Sequence, residues 1–384
     1  MAARRTSTQI LLLSILLLTK SNFLEAAESN TDSRNVVCIE RERKALLEFR
    51  KGLKHPSGWL SSWVGKDCCN WTGINCSNTT GNILKLDLKT IDVSSSFGQS
   101  EALNNRTCLG GMLNPSLLNL KYLSYLDMSG NNFQGIRIPE FIGSLKNLRY
   151  LDLSEASFNA LVGLSSLLYL DLGAMNLSRA NNWFEAVNML LSLTTLYLSS
   201  CELNGLPESL TVPYARFQIG SLYNLRTLDL SSNVINGEIK GFIDALGGCS
   251  NNTLADLDLS SDNLQGNLPD SLGKLKYLRY LRLAQNSFSV ETGYLLTVYL
   301  KSLSVIANWV LVFRHGSELK VELSQLTLSV AGISDMIPVW FWNLTSSLWW
   351  VDLSDNQFRG KLPGSVSFGY NIGAWVDLGF NRLE

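Results

Sequence analysis

Leu222-Tyr-Asn-Leu225-Arg-Thr-Leu228-Asp-Leu230-Ser-Ser-Asn233-Val-Ile235 is the stretch that decides the architecture. Its leucines are spaced three, three and then two apart, and the closing pair brackets a polar residue. Two apolar residues around one polar residue put their side chains on the same side of a short strand. The asparagine three positions later turns the chain, because its amide can bond backbone groups where a side chain is needed to do so. The phrase returns as Leu120…Leu123…Leu126-Asp127-Met128 with Asn131 and Phe133. It returns again as Leu145…Leu148…Leu151-Asp152-Leu153 with Phe158, and as Leu348…Val351-Asp352-Leu353 with Asn356 and Phe358. The closing residue of the pair stands at 128, 153, 172, 198, 230, 259, 283, 328, 353 and 378.

Most of these intervals match the 20–29-residue period of the leucine-rich repeat. The fold class follows: an α/β leucine-rich-repeat solenoid with a curved parallel β-sheet, its leucines inward and the flanking residues on the open side. About ten repeats fill 83–384, where length alone would suggest two or three separate domains of about 150 residues. The turn column reads Asn131, Ala156, Met175, Cys201, Asn233, Asp262, Asn286, Ala331, Asn356 and Asn381. Half of it is asparagine; Ala156, Met175 and Ala331 have no group to bond with, and Cys201 is expected to be a filler. A second mark, seen at Gly135…Ile138-Pro139, Gly205-Leu-Pro207, Gly266…Leu268-Pro269 and Gly360…Leu362-Pro363, suits a turn and a short extra edge strand. The pattern is irregular over 284–322, and the interval from 153 to 172 lacks the second mark. Glu384 falls inside a repeat with no polar cap behind it, so the repeats are expected to be incomplete at this end.

The first residues read as an address. Arg4 and Arg5 precede the apolar run Ile10–Leu18, and Ala26 and Ala27 follow, the layout of a secretory signal peptide over 1–27. No later stretch has 18 uninterrupted apolar residues, so no membrane segment is expected in this chain.

Cysteines and sequons suit that route. Cys38, Cys68, Cys69 and Cys76 crowd into a module over 28–82, while Cys108, Cys201 and Cys249 are scattered. In an oxidising compartment the first four read as disulfides. Vicinal Cys68 and Cys69 do not pair with each other, which leaves two connectivities; a zinc site is the weaker alternative. Glycan acceptors of the Asn-x-Ser/Thr type occur at Asn70, Asn75, Asn78, Asn105, Asn176, Asn251 and Asn343, with Asn75 crowded by its neighbours.

Composition removes several function classes. Lys+Arg 32 against Asp+Glu 33 offers no basic excess for phosphates, so no nucleic acid is expected as partner. Two histidines, His55 and His315, argue against histidine-based metal or acid–base chemistry. The chain has no Gly-x-Ser-x-Gly elbow, and Gly247-Gly248 sits outside any phosphate-loop pattern. No catalytic residue, metal or cofactor is expected. The aspartates between the paired leucines (Asp127, Asp152, Asp171, Asp229, Asp258, Asp352 and Asp377) invite a calcium reading, but consensus repeats carry this residue routinely.

The N-terminal block resembles the cap of plant leucine-rich-repeat proteins on Cys38…Arg41-Glu42-Arg43-Lys44-Ala45-Leu46-Leu47-Glu48-Phe49, Leu60-Ser-Ser-Trp63 and Asp67-Cys68-Cys69-Asn-Trp71-Thr-Gly73-Ile-Asn-Cys76. The repeats resemble the plant extracellular subclass. Together they are similar to plant receptor-like proteins, the group of the Cf disease-resistance and elicitor receptors. The resemblance implies pairing of Cys38 with Cys68 and of Cys69 with Cys76, and recruitment of a kinase-bearing co-receptor. It also implies the cell surface for a full-length parent and the apoplast if this chain is complete.

One pattern on the open face points to a ligand. The residue before each leucine pair is Tyr125, Tyr150, Tyr169, Thr195, Thr227, Asp256, Tyr280, Gln325, Trp350 and Trp375. The six aromatics suit a peptide, protein or glycan ligand; equally, tyrosine simply fits a strand surface. The function expected is extracellular recognition in defence or development signalling. The alternatives are a soluble apoplastic hydrolase inhibitor or decoy, and an inactive fragment.

Overall fold

The computed structural model describes residues 36–384 apart from 56–57, 91–107, 159–165, 181–182, 206–223, 248–251, 267, 289–322, 335, 338–340, 345–347 and 367–373. The signal-peptide reading, Asn105, Asn251, Cys249, His315 and most of the irregular 284–322 segment lie outside the described residues. Asn343 belongs to a short helix whose side chain there is not described.

The cap opens with helix α1, Glu40–Gly52. Ala45, Leu46 and Phe49 are buried at helical spacing, whereas Glu40–Arg43 and Glu48–Lys51 form exposed ion pairs at 2.7 Å on the other side. The helix stops at Gly52, before Pro56, because Leu53-Lys54 is drawn into antiparallel pairing with Gly110-Gly111. Disulfides join Cys38 to Cys68 and Cys69 to Cys76. Trp63 and Trp71 stack at 5.6 Å, and their indole N–H groups donate to the carbonyls of Thr72 and Val64. Glu42 is fully buried and accepts the Ile83 amide at 2.7 Å, tying the cap helix to the first strand of the repeats.

The main sheet has twelve strands among the described residues. They are β1 Ile74–Cys76, β2 Ile83–Asp87, β3 Tyr125–Asp127, β4 Tyr150–Asp152, β5 Tyr169–Asp171 and β6 Thr195–Tyr197. They continue as β7 Thr227–Asp229, β8 Asp256–Asp258, β9 Tyr280–Arg282, β10 Gln325–Thr327, β11 Trp350–Asp352 and β12 Trp375–Asp377. β1 lies antiparallel to β2 and closes that edge; every later pairing is parallel. Strand β2, an eleventh repeat-type strand, precedes the ten registered in the sequence. The sheet steps directly from β9 to β10 in unbroken register, so the longest interval costs it no pairing.

Register explains the core. Leu86, Leu126, Leu151, Leu170, Leu196, Leu228, Leu257, Leu281, Leu326 and Val351 face one another in a single buried file. Burying each such side chain contributes about 1.5–3 kcal/mol relative to exposure. On the far side, Asn236–Glu238, Asn263–Gly266 and Ser287–Phe288 form a small parallel sheet, and Arg359-Gly360 pairs with Arg382-Leu383. The sequence marks match them in part: two of these strands end at Gly266 and Gly360 rather than running on to the proline, Gly135 and Gly205 lie beside the isolated bridges Ile136–Phe158 and Asn204–Val234, and Asn236–Glu238, Ser287–Phe288 and Arg382-Leu383 carry no Gly-x-Leu-Pro mark.

Each strand is followed by a left-handed residue just before the turn column: Gly130, Glu155, Ala174, Ser200, Ser232, Ser261, Gln285, Val330, Asp355 and Phe380 all have φ between 51° and 66°. Only one is glycine, so the others carry steric strain of about 1–2 kcal/mol. The asparagine ladder holds that shape. Asn131 Nδ2 donates to the carbonyls of Leu88 and Met128. Asn286 donates likewise to Leu259 and Leu283, and Asn356 to Leu328 and Leu353. Cys201 is a buried filler whose thiol donates weakly to the Leu172 carbonyl at 3.1 Å. Ala156, Met175 and Ala331 fill their positions with buried apolar side chains.

Candidate recognition face

The residues flanking the buried leucines emerge on the concave side of the sheet, and parallel register brings equal positions into rows. Tyr125, Tyr150 and Tyr169 therefore stack, with ring centroids 4.0 and 4.1 Å apart and planes within 10°. Lys85 of β2 places its ammonium 4.0 Å above the Tyr125 ring, and Tyr197 leans on Tyr169 at 5.8 Å. Each stacked pair adds about 0.5–1.5 kcal/mol beyond area burial. Burial raises the pKa of all three phenols well above the ordinary tyrosine value, so they stay protonated donors.

Those hydroxyls have fixed partners. Tyr125 donates to Asp127 Oδ2 at 3.0 Å, and Tyr150 and Tyr169 donate to Asp152 and Asp171 at 3.3 Å. The other oxygen of each aspartate closes the turn: Asp127 Oδ1 accepts Ser129 N and Oγ, Asp152 Oδ1 accepts Ser154 N and Oγ, and Asp171 Oδ1 accepts Gly173 N. The aspartate column is thus a series of Asx turns. Among the described residues the group with metal-ligand spacing is Cys38, Cys68 and Cys69, whose sulfurs are in disulfides.

The six aromatic candidates do not form one patch. Three make the tyrosine stack near the cap. Trp350 and Trp375 stack at 3.9 Å on β11 and β12, with Trp349 edge-on to Trp350. Tyr280 stands between these groups, with the Arg282 guanidinium 5.8 Å from its ring centre. Thr195, Thr227 and Asp256 interrupt the aromatic row, and the centre they leave is acidic. Arg282 pairs there with Asp256 at 2.8 Å and reaches Asp258 at 3.5 Å. Burial pushes Asp171 up to about 6, with the Asp152 and Asp229 charges acting in the same direction. Burial likewise raises Asp256 and Asp258.

Lys85, Tyr197 and Arg282 belong to this face although the sequence reading did not single them out. Leu86-Asp87-Leu88 is itself a leucine pair, and registering it would have put Lys85 in the aromatic row. Of the glycan acceptors, Asn70, Asn75, Asn78 and Asn176 are exposed, none of them on a parallel strand of the concave sheet.

A disulfide-capped solenoid with this ladder and these extra edge strands is a plant-type leucine-rich-repeat ectodomain in architecture. Residues 39–77 match the leucine-rich-repeat N-terminal domain, and 122–145, 192–212 and 224–246 match the leucine-rich repeat. Receptor-like protein EIX1 of Solanum lycopersicum is 34% identical over 67% of this chain and 27% of its own length. Receptor-like protein EIX2 of the same plant is 32% identical over 73% and 29%. The chain belongs to the plant leucine-rich-repeat receptor-like proteins, and it spans under a third of the length of these two relatives. The crystal structure of a plant ice-binding protein covers 90% of this chain and 88% of its own at a TM-score of 0.53 and 23% identity, a likeness of fold. No helix among the described residues is long and apolar enough to cross a membrane.

Proposed function

We propose that this chain serves extracellular recognition, binding a peptide, protein or glycan along its concave face and acting with a kinase-bearing co-receptor in defence or development signalling. The observation that carries the reading is the concave row itself: two aromatic groups flank an acidic centre on a face that no other element of the chain's described residues covers. The membership among receptor-like proteins supports it, as does the signal-peptide pattern over 1–27, which fits export to the cell surface or apoplast. The stacked aromatics and carboxylates of the described residues are groups that suit binding, and that is the role proposed. The tyrosine faces are occupied by one another and Trp350 is stacked on Trp375, which makes Tyr280, the exposed Trp375 and the central carboxylates the first contacts for a ligand; the carboxylates favour a cationic segment.

The test is a screen of basic peptides and cell-wall oligosaccharides against the secreted chain. Trp375→Ala and Tyr280→Ala are expected to weaken a binder at least about tenfold with the melting temperature held, the effect of losing an interface anchor. Undiminished binding in both variants sinks the concave-face reading.

A further inference from the structure

Asp262 occupies the ladder position of its turn, yet a carboxylate cannot do what the amide does there. Its Oδ1 accepts the Asn233 amide at 3.0 Å, as a ladder oxygen should. Its Oδ2 is buried without a hydrogen-bond partner, on a residue only 5% exposed. The carbonyls around the ladder show what is missing. Leu353 O receives two side-chain amides, from Asn356 and from Asn381 of the next turn. Leu230 O receives the amide of Asn233, and Leu259 O that of Asn286. By register, the second donor to Leu230 and the local donor to Leu259 both belong at position 262.

We propose that Asp262 is a proton-dependent joint of the solenoid: protonated on Oδ2, it donates to the Leu230 or Leu259 carbonyl in place of the ladder amide, and on losing that proton it sets a buried charge against those same oxygens. Two unshared acceptors face to face repel, whereas an O–H between them bonds. The charged groups acting on Asp262 are Asp258, at the end of the strand before its turn, and Asp229 on the neighbouring strand. Arg282, the cation of the following strand, is engaged on the concave side by Asp256 and Asp258. Burial lifts the Asp262 carboxyl to about 7; the amides of Asn233 and Ile235 pull down against it, and the Asp258 and Asp229 charges push further up.

The sign follows. The unfolded carboxyl titrates near 3.8 and the folded one near 7, so across that window the folded chain holds a proton that the unfolded chain has released. Stability falls as pH climbs through it, and the loss is complete above the folded value. Asp171, Asp152, Asp256 and Asp258 are raised in the same direction, so the test compares variants rather than reading one slope.

Asp262→Asn restores the amide. The melting temperatures of D262N and the parent are expected to lie close at about pH 4 and to separate by several degrees by about pH 8, with D262N higher. A gap of equal size at both pH values overturns the proposal. The infrared difference between parent and D262N at about pH 5 should show the carbonyl stretch of a protonated carboxyl, absent at about pH 8; its absence at the lower pH also overturns it. If D262N is not secreted, hydrogen exchange in the parent decides: protection of the Asn233 and Ile235 amides, corrected for intrinsic rate, must drop across the window, and constant protection is the negative result.

Discussion

Asn233 reaches back one repeat to Cys201: its Oδ1 accepts the Cys201 amide at 2.9 Å while also accepting that of Leu203 at 3.0 Å. Its Nδ2 donates to the carbonyls of Leu198 and Leu230, so one side chain satisfies backbone groups of two successive turns. Asn233→Ala removes these partners at a site where water cannot replace them. Each orphaned buried group costs about 1–3 kcal/mol, and a total loss of about 3 kcal/mol or more is expected. Asn381→Ala, at a more exposed turn, should cost about 1 kcal/mol. Chemical unfolding of both variants checks the order, and equal losses would sink the ladder as the element that joins the repeats.

How far the sequence discloses such relationships depends on whether a residue's role is local or shared. The strands were legible because each leucine pair needs only its own turn to be recognised. The Asx turns were legible in principle as well, since Asp127/Ser129, Asp152/Ser154, Asp229/Ser231, Asp258/Ser260 and Asp352/Ser354 repeat one spacing. The tyrosine row was visible but its meaning was not. Whether Tyr150 offers a face to a ligand or to Tyr125 depends on the parallel strand spacing of about 4.8 Å, close enough for rings to stack. The acidic centre was hidden for a related reason: it arises where Thr195, Thr227 and Asp256 replace aromatics on three adjoining strands, an adjacency that exists only after register is fixed.

The Cys201 thiol should be inert in the folded chain. It is fully buried, its sulfur lies 3.1 Å from Leu172 O, and burial pushes its pKa up to about 12. Since the thiolate is the reactive form, an alkylating reagent at mildly alkaline pH is expected to leave Cys201 unmodified until denaturant is added. Peptide mass spectrometry of the labelled protein reads this directly. Rapid native labelling at position 201 would mean that this turn opens far more readily than its hydrogen bonds allow.

Val330 carries more strain than its counterparts at the same left-handed position. It sits at φ 52° just before Ala331, is 47% exposed, and is the one β-branched residue among the described left-handed positions of the turn. A branched Cβ is poorly tolerated there, whereas asparagine adopts this conformation readily. Val330→Asn is expected to stabilise the chain by about 1 kcal/mol, and Val330→Gly by less, because glycine also loosens the unfolded chain. Thermal melts of the two variants, with Ser232→Asn as a near-neutral control, test the argument. A loss of stability in V330N would show that the valine packs usefully against a neighbour.

The two cap disulfides should differ in what they hold. Cys38–Cys68 closes a separation of 30 residues and Cys69–Cys76 one of 7. On chain entropy alone, removing the first costs about 3–4 kcal/mol and the second about 2–3. The first also anchors the start of α1, where the Cys38 amide donates to Asp67 Oδ1 at 3.0 Å and that same oxygen accepts the Cys69 amide. Paired alanine substitution at Cys38 and Cys68 is therefore expected to destabilise the cap more than substitution at Cys69 and Cys76. It should also release the stacked Trp63 and Trp71 to water, read as a red shift in tryptophan fluorescence below the main melt. The reverse order would mean that the short loop, which sits beside β1 at the covered edge of the main sheet, holds the cap on the repeats.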